Sequence, residues 1–243
     1  MIKRVTDIIF ALLGIIILIP LIIFCFVLIW LNDFNSPFYF AERSGQNGKL
    51  FRMIKFRTMT IGADKSGVAS TAIDDTRITK VGHVLRKYKI DEIPNLFNIL
   101  IGQMSLVGPR PNLKRETDFY TKKEHILLSI KPGVTDIASV VFSDEGNILE
   151  GSNDPDLDYN QLIRPWKSRL GIFYIENQSI ILDIKLIIIT TIAIISKKKA
   201  LFMINRILKT KKADDLLIKI SKRENPLKPY PPPGSNDIVL TRN

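Results

Sequence analysis

The longest run of hydrophobic positions in this chain covers residues 8–31 and contains no charged residue. A helix over this run would be about 36 Å long, which exceeds the hydrocarbon core of a bilayer at about 30 Å. Lys3 and Arg4 precede the run. A secretory signal peptide is excluded, because the run is too long for one and no cleavage site of small residues follows it. The pattern therefore predicts a membrane helix.

Two topologies fit this helix, and the residues around it favour one of them. A helix that spans the bilayer fits the length, but Pro20 interrupts the run near its middle, where proline breaks helical hydrogen bonding. Positive charge lies on both sides of the run, and basic flanks stay in the cytoplasm. The sequence therefore predicts that residues 1–31 form a re-entrant helix, bent at Pro20, that enters and leaves the membrane by one face. The basic residues after the run are Arg43, Lys49, Arg52, Lys55 and Arg57.

Alternating hydrophobic and polar positions after the apolar run predict a small β-hairpin. Residues 36–40 and 50–59 are typical of strands, and the glycines at 45 and 48 mark the turn between them. The second strand interleaves basic and apolar side chains. Lys55 and Arg57 thus lie either on an ordinary half-buried strand or on a basic wall near a phosphate.

Helical periodicity dominates the rest of the chain. The predicted helices cover residues 78–90, 113–130, 168–177 and 180–195. The apolar stretch 186–195 is too short to span a bilayer, and with the lysines at 197–199 it indicates an amphipathic interfacial helix on anionic lipid. The segment 209–243 is basic and then Pro-rich, which predicts a flexible tail. The fold class is α+β: a membrane-anchored monotopic protein with a cytoplasmic domain over residues 32–208.

Charge and composition narrow the classes of partner. The net charge is +11 and the isoelectric point about 9.7, which suits either nucleic acid or anionic lipid. The apolar run favours lipid, and no nucleic-acid-binding motif is present. A single cysteine, Cys25, forbids an intrachain disulfide, and two histidines argue against a His-rich metal site. Neither a Walker motif nor a Rossmann glycine fingerprint occurs, so nucleotide hydrolysis and hydride transfer on those folds are not supported.

Residues 85–111 are the most informative stretch of the chain. Ile93, Leu96, Phe97 and Leu100 repeat at helical spacing and predict one apolar helix face. Asp91 is a suitable N-cap, Pro94 is tolerated only in the first turn, and Gly102 supplies the stop.

Charged residues cluster around the start of this predicted helix. Asp91 and Glu92 are adjacent, Arg86 lies upstream, and Arg110 lies in a stiff loop between Pro109 and Pro111. Carboxylates, guanidinium groups and a helix N-terminus together are suited to chemistry on a phosphate. Separately, an Asp before a helix is more often a cap, and a Gly-Pro-Arg-Pro run is more often a turn.

The order of these motifs resembles the bacterial sugar transferase family, the monotopic polyprenyl-phosphate phosphoglycosyl transferases. The resemblance covers roughly residues 1–195. Its motifs are Asp91-Glu92, Leu96-Phe97-Asn98, Met104-Ser105-Leu106-Val107 and Gly108-Pro109-Arg110-Pro111. The chain departs from the family pattern at Asp136, Ile137 and Ser139, where the family has glycine, an aromatic residue and glutamine.

The resemblance implies a reaction and roles for residues. A sugar 1-phosphate passes from a nucleoside diphosphate sugar, commonly a UDP-sugar, to polyprenyl phosphate at the cytoplasmic face of the bacterial inner membrane. Asp91 is expected to be the nucleophile and Glu92 its catalytic partner. Mg²⁺ is the expected cofactor, with Asp91 as a ligand. The residues expected to bind substrate phosphates are Arg86, Arg110, Lys55 and Arg57.

One alternative belongs to a different class. A non-catalytic membrane scaffold, recruiting glycan-assembly partners through its basic tail, fits the composition but leaves the intact Asp91–Glu92 dyad unexplained. The sugar, the nucleotide base, the glycan pathway and any homo-oligomer stay open at this point.

Overall fold

The computed structural model describes residues 2–68 and 70–241, apart from the side chain of Ser66. The α-helices are α1 (Ile2–Asp33), α2 (Lys80–Lys87), α3 (Asn95–Leu100), α4 (Lys114–Thr117), α5 (Ile137–Val141), α6 (Glu145–Ile148), α7 (Pro155–Asp158), α8 (Arg164–Glu176), α9 (Ile180–Ile195), α10 (Lys197–Thr210) and α11 (Asp215–Ser221). The strands are β1 (Phe38–Ser44), β2 (Leu50–Phe56), β3 (Ser105–Val107) and β4 (Gly133–Thr135). The expected mixture of helices with a small sheet is confirmed.

Helix α1 is long and apolar enough to cross a membrane. Its buried positions are Asp7, Ala11, Cys25 and Ile29, which fall on one face of the helix. Through Ala11 this face packs against α3 and the hairpin, and through Cys25 and Ile29 it packs against β2 and α2. The opposite face is exposed and apolar. Its members include Ile9, Leu13, Ile16, Ile17, Ile23 and Phe24.

Both ends of α1 are fastened to the rest of the protein. At the start, Lys3 pairs with Asp183 on α9 at 2.5 Å. Arg4 donates to the main-chain oxygens of Ile99 and Leu100. At the end of α1, the Arg57 guanidinium donates two hydrogen bonds of 2.6 Å to the Asp33 carboxylate. Both ends of the helix are therefore held by the same folded domain.

The helix is continuous through Pro20, although the sequence predicted an interruption there. A proline removes a single main-chain donor, and the long apolar segments on both sides keep the helix together. The membrane bend at Pro20 and the re-entrant course therefore stay predictions.

The hairpin forms as expected. Strands β1 and β2 are antiparallel, and Ala41 lies opposite Met53 in the register. A second, parallel pair joins β3 to β4. At the end of this strand pair, the backbones of Gly133 and Gly108 lie very close together. A Cβ atom on Gly133 would lie 2.1 Å from the nitrogen of Gly108. Only glycine fits there, and this contact fixes where the loop carrying Arg110 begins.

The helix predicted over residues 113–130 is wrong. Only α4 and a 3-10 turn, Glu124–Leu128, form in this region. Glu124 is fully buried and accepts hydrogen bonds from Arg164 at 2.7 Å and Ser168 at 2.7 Å. A buried ion pair requires the chain to turn inward at this point, which a continuous solvent-exposed helix does not allow.

The C-terminal region is ordered against the domain, contrary to the expected flexible tail. Helices α10 and α11 pack into the main core with α5, α8 and α9. Beyond them an extended segment crosses α8, where the ring of Tyr230 lies 4.4 Å from that of Trp166. Aromatic stacking and main-chain hydrogen bonds keep this segment in place.

Candidate active site

Asp91 lies in a 3-10 turn, Ile90–Glu92, that comes before α3. The predicted N-cap role is wrong. Pro94 occupies the N-cap position of α3, and no side chain caps that helix. Asp91 is 6% exposed, and its Oδ1 atom has no hydrogen-bond partner among the described residues. A buried carboxylate oxygen without a donor is costly, which indicates that this atom serves something other than the fold.

The apolar face predicted for α3 is only partly buried and lies against α1. Phe97 is 39% exposed and Leu96 packs beside Gly14 of α1, whereas Asn98 is fully buried. Asn98 accepts from the Ile54 amide at 2.9 Å and donates to the Arg52 carbonyl at 2.8 Å. The polar face is inside because it supplies hydrogen bonds to the free edge of β2, and the apolar face meets α1. The predicted stop is confirmed, since Gly102 has a φ of +87°.

Glu92 is held by two cations. Lys55 donates to its Oε1 atom at 3.0 Å, and Arg110 donates to both carboxylate oxygens, one of them at 3.0 Å. Lys55 also lies 3.9 Å from Oδ2 of Asp91. Strand β2 brings Lys55 to the dyad, and the loop after β3 brings Arg110. Two of the predicted phosphate-binding residues therefore meet at the carboxylates.

The two carboxylates differ in acidity. Burial raises the pKa of Asp91, and the negative charge of Glu92 adds to that rise against the opposing effect of Lys55. Burial also acts to raise the pKa of Glu92, but the charges of Arg110 and Lys55 outweigh it and hold that pKa well below its usual range. Asp91 is the more basic of the pair.

The other two predicted phosphate ligands are placed differently. Arg86 donates from Nε to the Thr58 hydroxyl at 2.8 Å and lies near enough to Asp91 for its charge to act on that carboxyl. Arg57 does not reach the dyad, because it follows the end of β2 and is engaged by Asp33. The structure thus assembles Lys55, Arg86 and Arg110 around the dyad and leaves Arg57 at the end of α1.

A small cavity lined by both polar and apolar side chains opens beside Arg110. Its lining includes Arg110, Asn112, Asp136, Ser139, Tyr159 and Lys167. Asp136 and Ser139 are two of the positions that depart from the family pattern. Asp136 is 1% exposed and accepts the Ser139 amide at 2.6 Å, and burial raises its pKa. Hydroxyls, a carboxylate and cations thus border one small cavity beside the dyad's arginine.

Several residues of the site were missed from the sequence. Glu145 on α6 pairs with Lys167, and its charge acts on Arg110. Asp7 is 5% exposed and accepts from the Ser105 hydroxyl at 2.8 Å and from the Leu106 amide at 3.0 Å, which ties α1 to β3. A charge bordering an apolar run was a signal for Asp7, whereas nothing in the local pattern singled out Glu145.

The dyad fits Mg²⁺ only as part of a larger ligand set. Within the described parts of the chain, no group of three or more His, Cys, Asp or Glu could hold a metal by itself. The unpartnered oxygen of Asp91 is available, whereas Arg110 and Lys55 occupy Glu92. Mg²⁺ is commonly bound through one or two carboxylates together with water and substrate phosphates, and Asp91 suits that arrangement.

Comparison with known proteins leads to the same family as the sequence motifs. A family model described as bacterial sugar transferase matches residues 1–197. A Bacillus subtilis (strain 168) protein is 44% identical over 122 residues, covering 50% of this chain and 66% of its own length. Its name includes "undecaprenyl-phosphate N-acetylgalactosaminyl 1-phosphate transferase".

Two further relatives match more of the chain. The UDP-N-acetylgalactosamine-undecaprenyl-phosphate N-acetylgalactosaminephosphotransferase of Aeromonas hydrophila is 35% identical, over 79% of this chain and 43% of its own. The UDP-glucose:undecaprenyl-phosphate glucose-1-phosphate transferase of Xanthomonas campestris pv. campestris is 33% identical, over 82% of this chain and 40% of its own. The present chain thus spans about two-fifths of the length of these two proteins.

Proposed function

Because this chain belongs to the bacterial sugar transferase family, we propose that it transfers a sugar 1-phosphate from a UDP-sugar to undecaprenyl phosphate, releasing UMP. The observation that carries the proposal is the buried Oδ1 atom of Asp91, which has no hydrogen-bond partner among the described residues. The other oxygen of this carboxylate lies 3.9 Å from Lys55, and the charge of Arg86 acts on the same group. This oxygen is free to act as a nucleophile in a strongly cationic surrounding.

The proposed reaction has two steps at one phosphorus atom. Asp91 attacks the β-phosphorus of the donor, and the bond from that phosphorus to the bridging oxygen breaks, so that UMP leaves with the electron pair. The sugar phosphate is then bonded to the Asp91 carboxylate. The dianionic phosphate of the lipid acceptor attacks the same phosphorus, which forms the lipid diphosphate sugar and restores the carboxylate. Atoms and charges balance with no further reactant.

The cations and Glu92 have supporting roles in this proposal. Arg110 and Lys55 are placed to bind the transferred phosphate, where fixed positive charge stabilises the charge that develops in the transition state. Glu92 has both oxygens engaged and a depressed pKa, which disfavours a role as proton acceptor. We assign it the task of holding Lys55 and Arg110 beside Asp91. Mg²⁺, when bound with Asp91 among its ligands, would neutralise part of the donor's diphosphate charge.

The proposed location is the cytoplasmic face of the bacterial inner membrane. The exposed face of α1 is apolar, and α9 and α10 expose Ile181, Ile188, Ile195 and Phe202 near the lysines at 197–199. Apolar side chains bordered by lysines suit the interface of an anionic bilayer. Both ends of α1 contact one domain, through Lys3 and Arg57. This arrangement supports a helix that enters and leaves by the same face.

Cysteine labelling tests this topology. In a Cys25→Ala background, Ile2→Cys and Lys49→Cys place single thiols at exposed positions on either side of the apolar run. We expect an impermeant maleimide to label neither thiol in intact spheroplasts and both after permeabilisation, because both flanks lie inside. Labelling of position 2 alone in intact spheroplasts would contradict the proposal and restore a spanning helix.

Turnover by the purified protein tests the reaction itself. The full chain in detergent is supplied with undecaprenyl phosphate, Mg²⁺ and a panel of nucleotide sugars, and UMP release is scored. Mass spectrometry after incubation with donor alone should show a phospho-sugar adduct on Asp91. Turnover without any adduct would leave direct transfer between the substrates. No lipid-linked product with any donor would favour the non-catalytic scaffold.

A further inference from the structure

Residues 226–241 form an extended segment, called here the C-terminal strap, that lies outside the part of the chain matched by the family. The strap is tied down by main-chain contacts at several points. The amide of Tyr230 donates to the Gln161 carbonyl at 3.0 Å. The Gln161 side chain donates to the Val239 carbonyl at 2.7 Å, and the Thr121 hydroxyl donates to the Pro233 carbonyl at 2.5 Å.

The centre of the strap is a clamp on one side of α8. The ring of Tyr230 lies 4.4 Å from the ring of Trp166, and the guanidinium carbon of Arg169 lies 4.8 Å from the Tyr230 ring centre. Arg169 also donates to the carbonyls of Pro231 at 2.9 Å and Pro165 at 2.8 Å. The cation therefore joins the strap to α8 through both its ring contact and its hydrogen bonds.

The opposite side of α8 faces the candidate active site. Lys167 and Tyr159 line the cavity beside Arg110, and Lys167 holds Glu145. At Gly171 the helix packs so closely that a Cβ atom would lie 2.7 Å from Leu127 and 3.8 Å from Pro109, the residue before Arg110. A shift of α8 would therefore move both the cavity wall and the support of the arginine loop.

The backbone ahead of α8 needs the strap as well. Residues Tyr159–Ile163 form a π-helix, a conformation frequently found at functional sites. The Gln161 carbonyl within this segment accepts the Tyr230 amide. The strap thus stabilises the irregular turn that directs Tyr159 into the cavity.

We propose that Tyr230 is a positioning residue for the binding of the donor. By clamping Trp166 and Arg169, it holds α8 against Pro109 and so fixes the position of Arg110, to which the proposed function assigns the binding of the donor's phosphate. This inference rests on the proposed function. It assigns a role to a segment of the chain outside the family match.

Steady-state kinetics of full-length variants test the inference. Tyr230→Ala removes the ring, Tyr230→Phe keeps it, and Leu240→Ala is a matched control on the strap, because Leu240 is 79% exposed. We expect Tyr230→Ala to raise KM for the donor about tenfold, since small displacements of binding groups are costly. Its KM for undecaprenyl phosphate should change less than about twofold, because the clamp lies on the side of α8 that faces away from the candidate active site. Tyr230→Phe and Leu240→Ala should match the wild type.

A second variant protects the test against misfolding. Arg169→Gln keeps the Tyr230 ring and the strap backbone but removes the cation, and it should raise the donor KM in the same direction. Unchanged donor KM in both variants would overturn the inference while leaving the proposed function intact. An equal loss through kcat and both KM values, with a lower melting temperature, would assign the strap to general stability alone. A wild-type protein without turnover would instead overturn the proposed function and this inference with it.

Discussion

Asp91 and Glu92 are neighbours in one turn and are almost equally buried, at 6% and 8% exposed, yet their hydrogen-bond partners differ. Glu92 is saturated by Arg110 and Lys55, whereas Asp91 has one oxygen without a partner. The comparison teaches that the partners, and not the depth, separate the two roles. A saturated carboxylate organises cations, and an unsaturated one is free to react.

The largest expected effect comes from replacing the Asp91 carboxylate by a group that cannot act as a nucleophile. Asp91→Asn should reduce turnover by about 10⁴-fold or more, because an amide cannot attack phosphorus. Asp91→Ala should do the same with little change in melting temperature, since Asp91 caps no helix in the structure. UMP release and thermal unfolding together measure this. Activity of Asp91→Asn near that of the wild type would end the distinction between the two carboxylates.

A smaller effect is expected from removing the cation that the two carboxylates share. Lys55→Ala should lower kcat/KM for the donor by about 10²-fold, the usual cost of one group that stabilises transition-state charge. Arg57→Ala is the matched control, because it removes an equal charge from the same chain segment but contacts Asp33 instead of the dyad. Its kcat/KM should fall less than about threefold. Equal losses in both variants would mean that general positive charge matters and the Lys55 contact does not.

The smallest expected effect is a shift in the pH dependence of Asp91 adduct formation, measured in a single turnover. Burial, assisted by the charge of Glu92, raises the pKa of Asp91, so adduct formation should fall as pH drops through that raised value. Glu92→Gln removes the neighbouring negative charge and lowers the Asp91 pKa. The acid limb should therefore move to lower pH. A limb that stays in place would show that Glu92 does not influence the nucleophile.

The elements that depend on local pattern were predictable from the sequence. The hairpin and the stop at Gly102 follow from alternation and turn residues within a few positions of one another. The order of the motifs also predicted that one site contains the dyad, Lys55 and Arg110. These features needed no knowledge of distant contacts.

Other features depended on contacts between distant residues and were not predictable. The 3-10 turn moves Asp91 three residues away from the cap position, and the periodicity of α3 does not show which face meets another apolar helix. Glu124 turns inward because Arg164, forty positions later, is buried with it. The strap looked disordered by composition, yet Tyr230 finds an aromatic ring and a cation on α8.

In the proposed reaction, the double fastening of α1 would also determine the depth at which Asp91 acts relative to the membrane. An enzyme on a flexible tether samples a range of heights above a membrane, and its local concentration at the surface depends on the length of the linker. Here Lys3 and Arg57 secure the two ends of the anchor to the same body that carries Asp91. In a bilayer, Asp91 would therefore lie at a constant distance from the plane of the lipid headgroups. Asp91 would then meet the phosphate of the proposed lipid acceptor by diffusion in the plane of the membrane alone, because the fold fixes its depth.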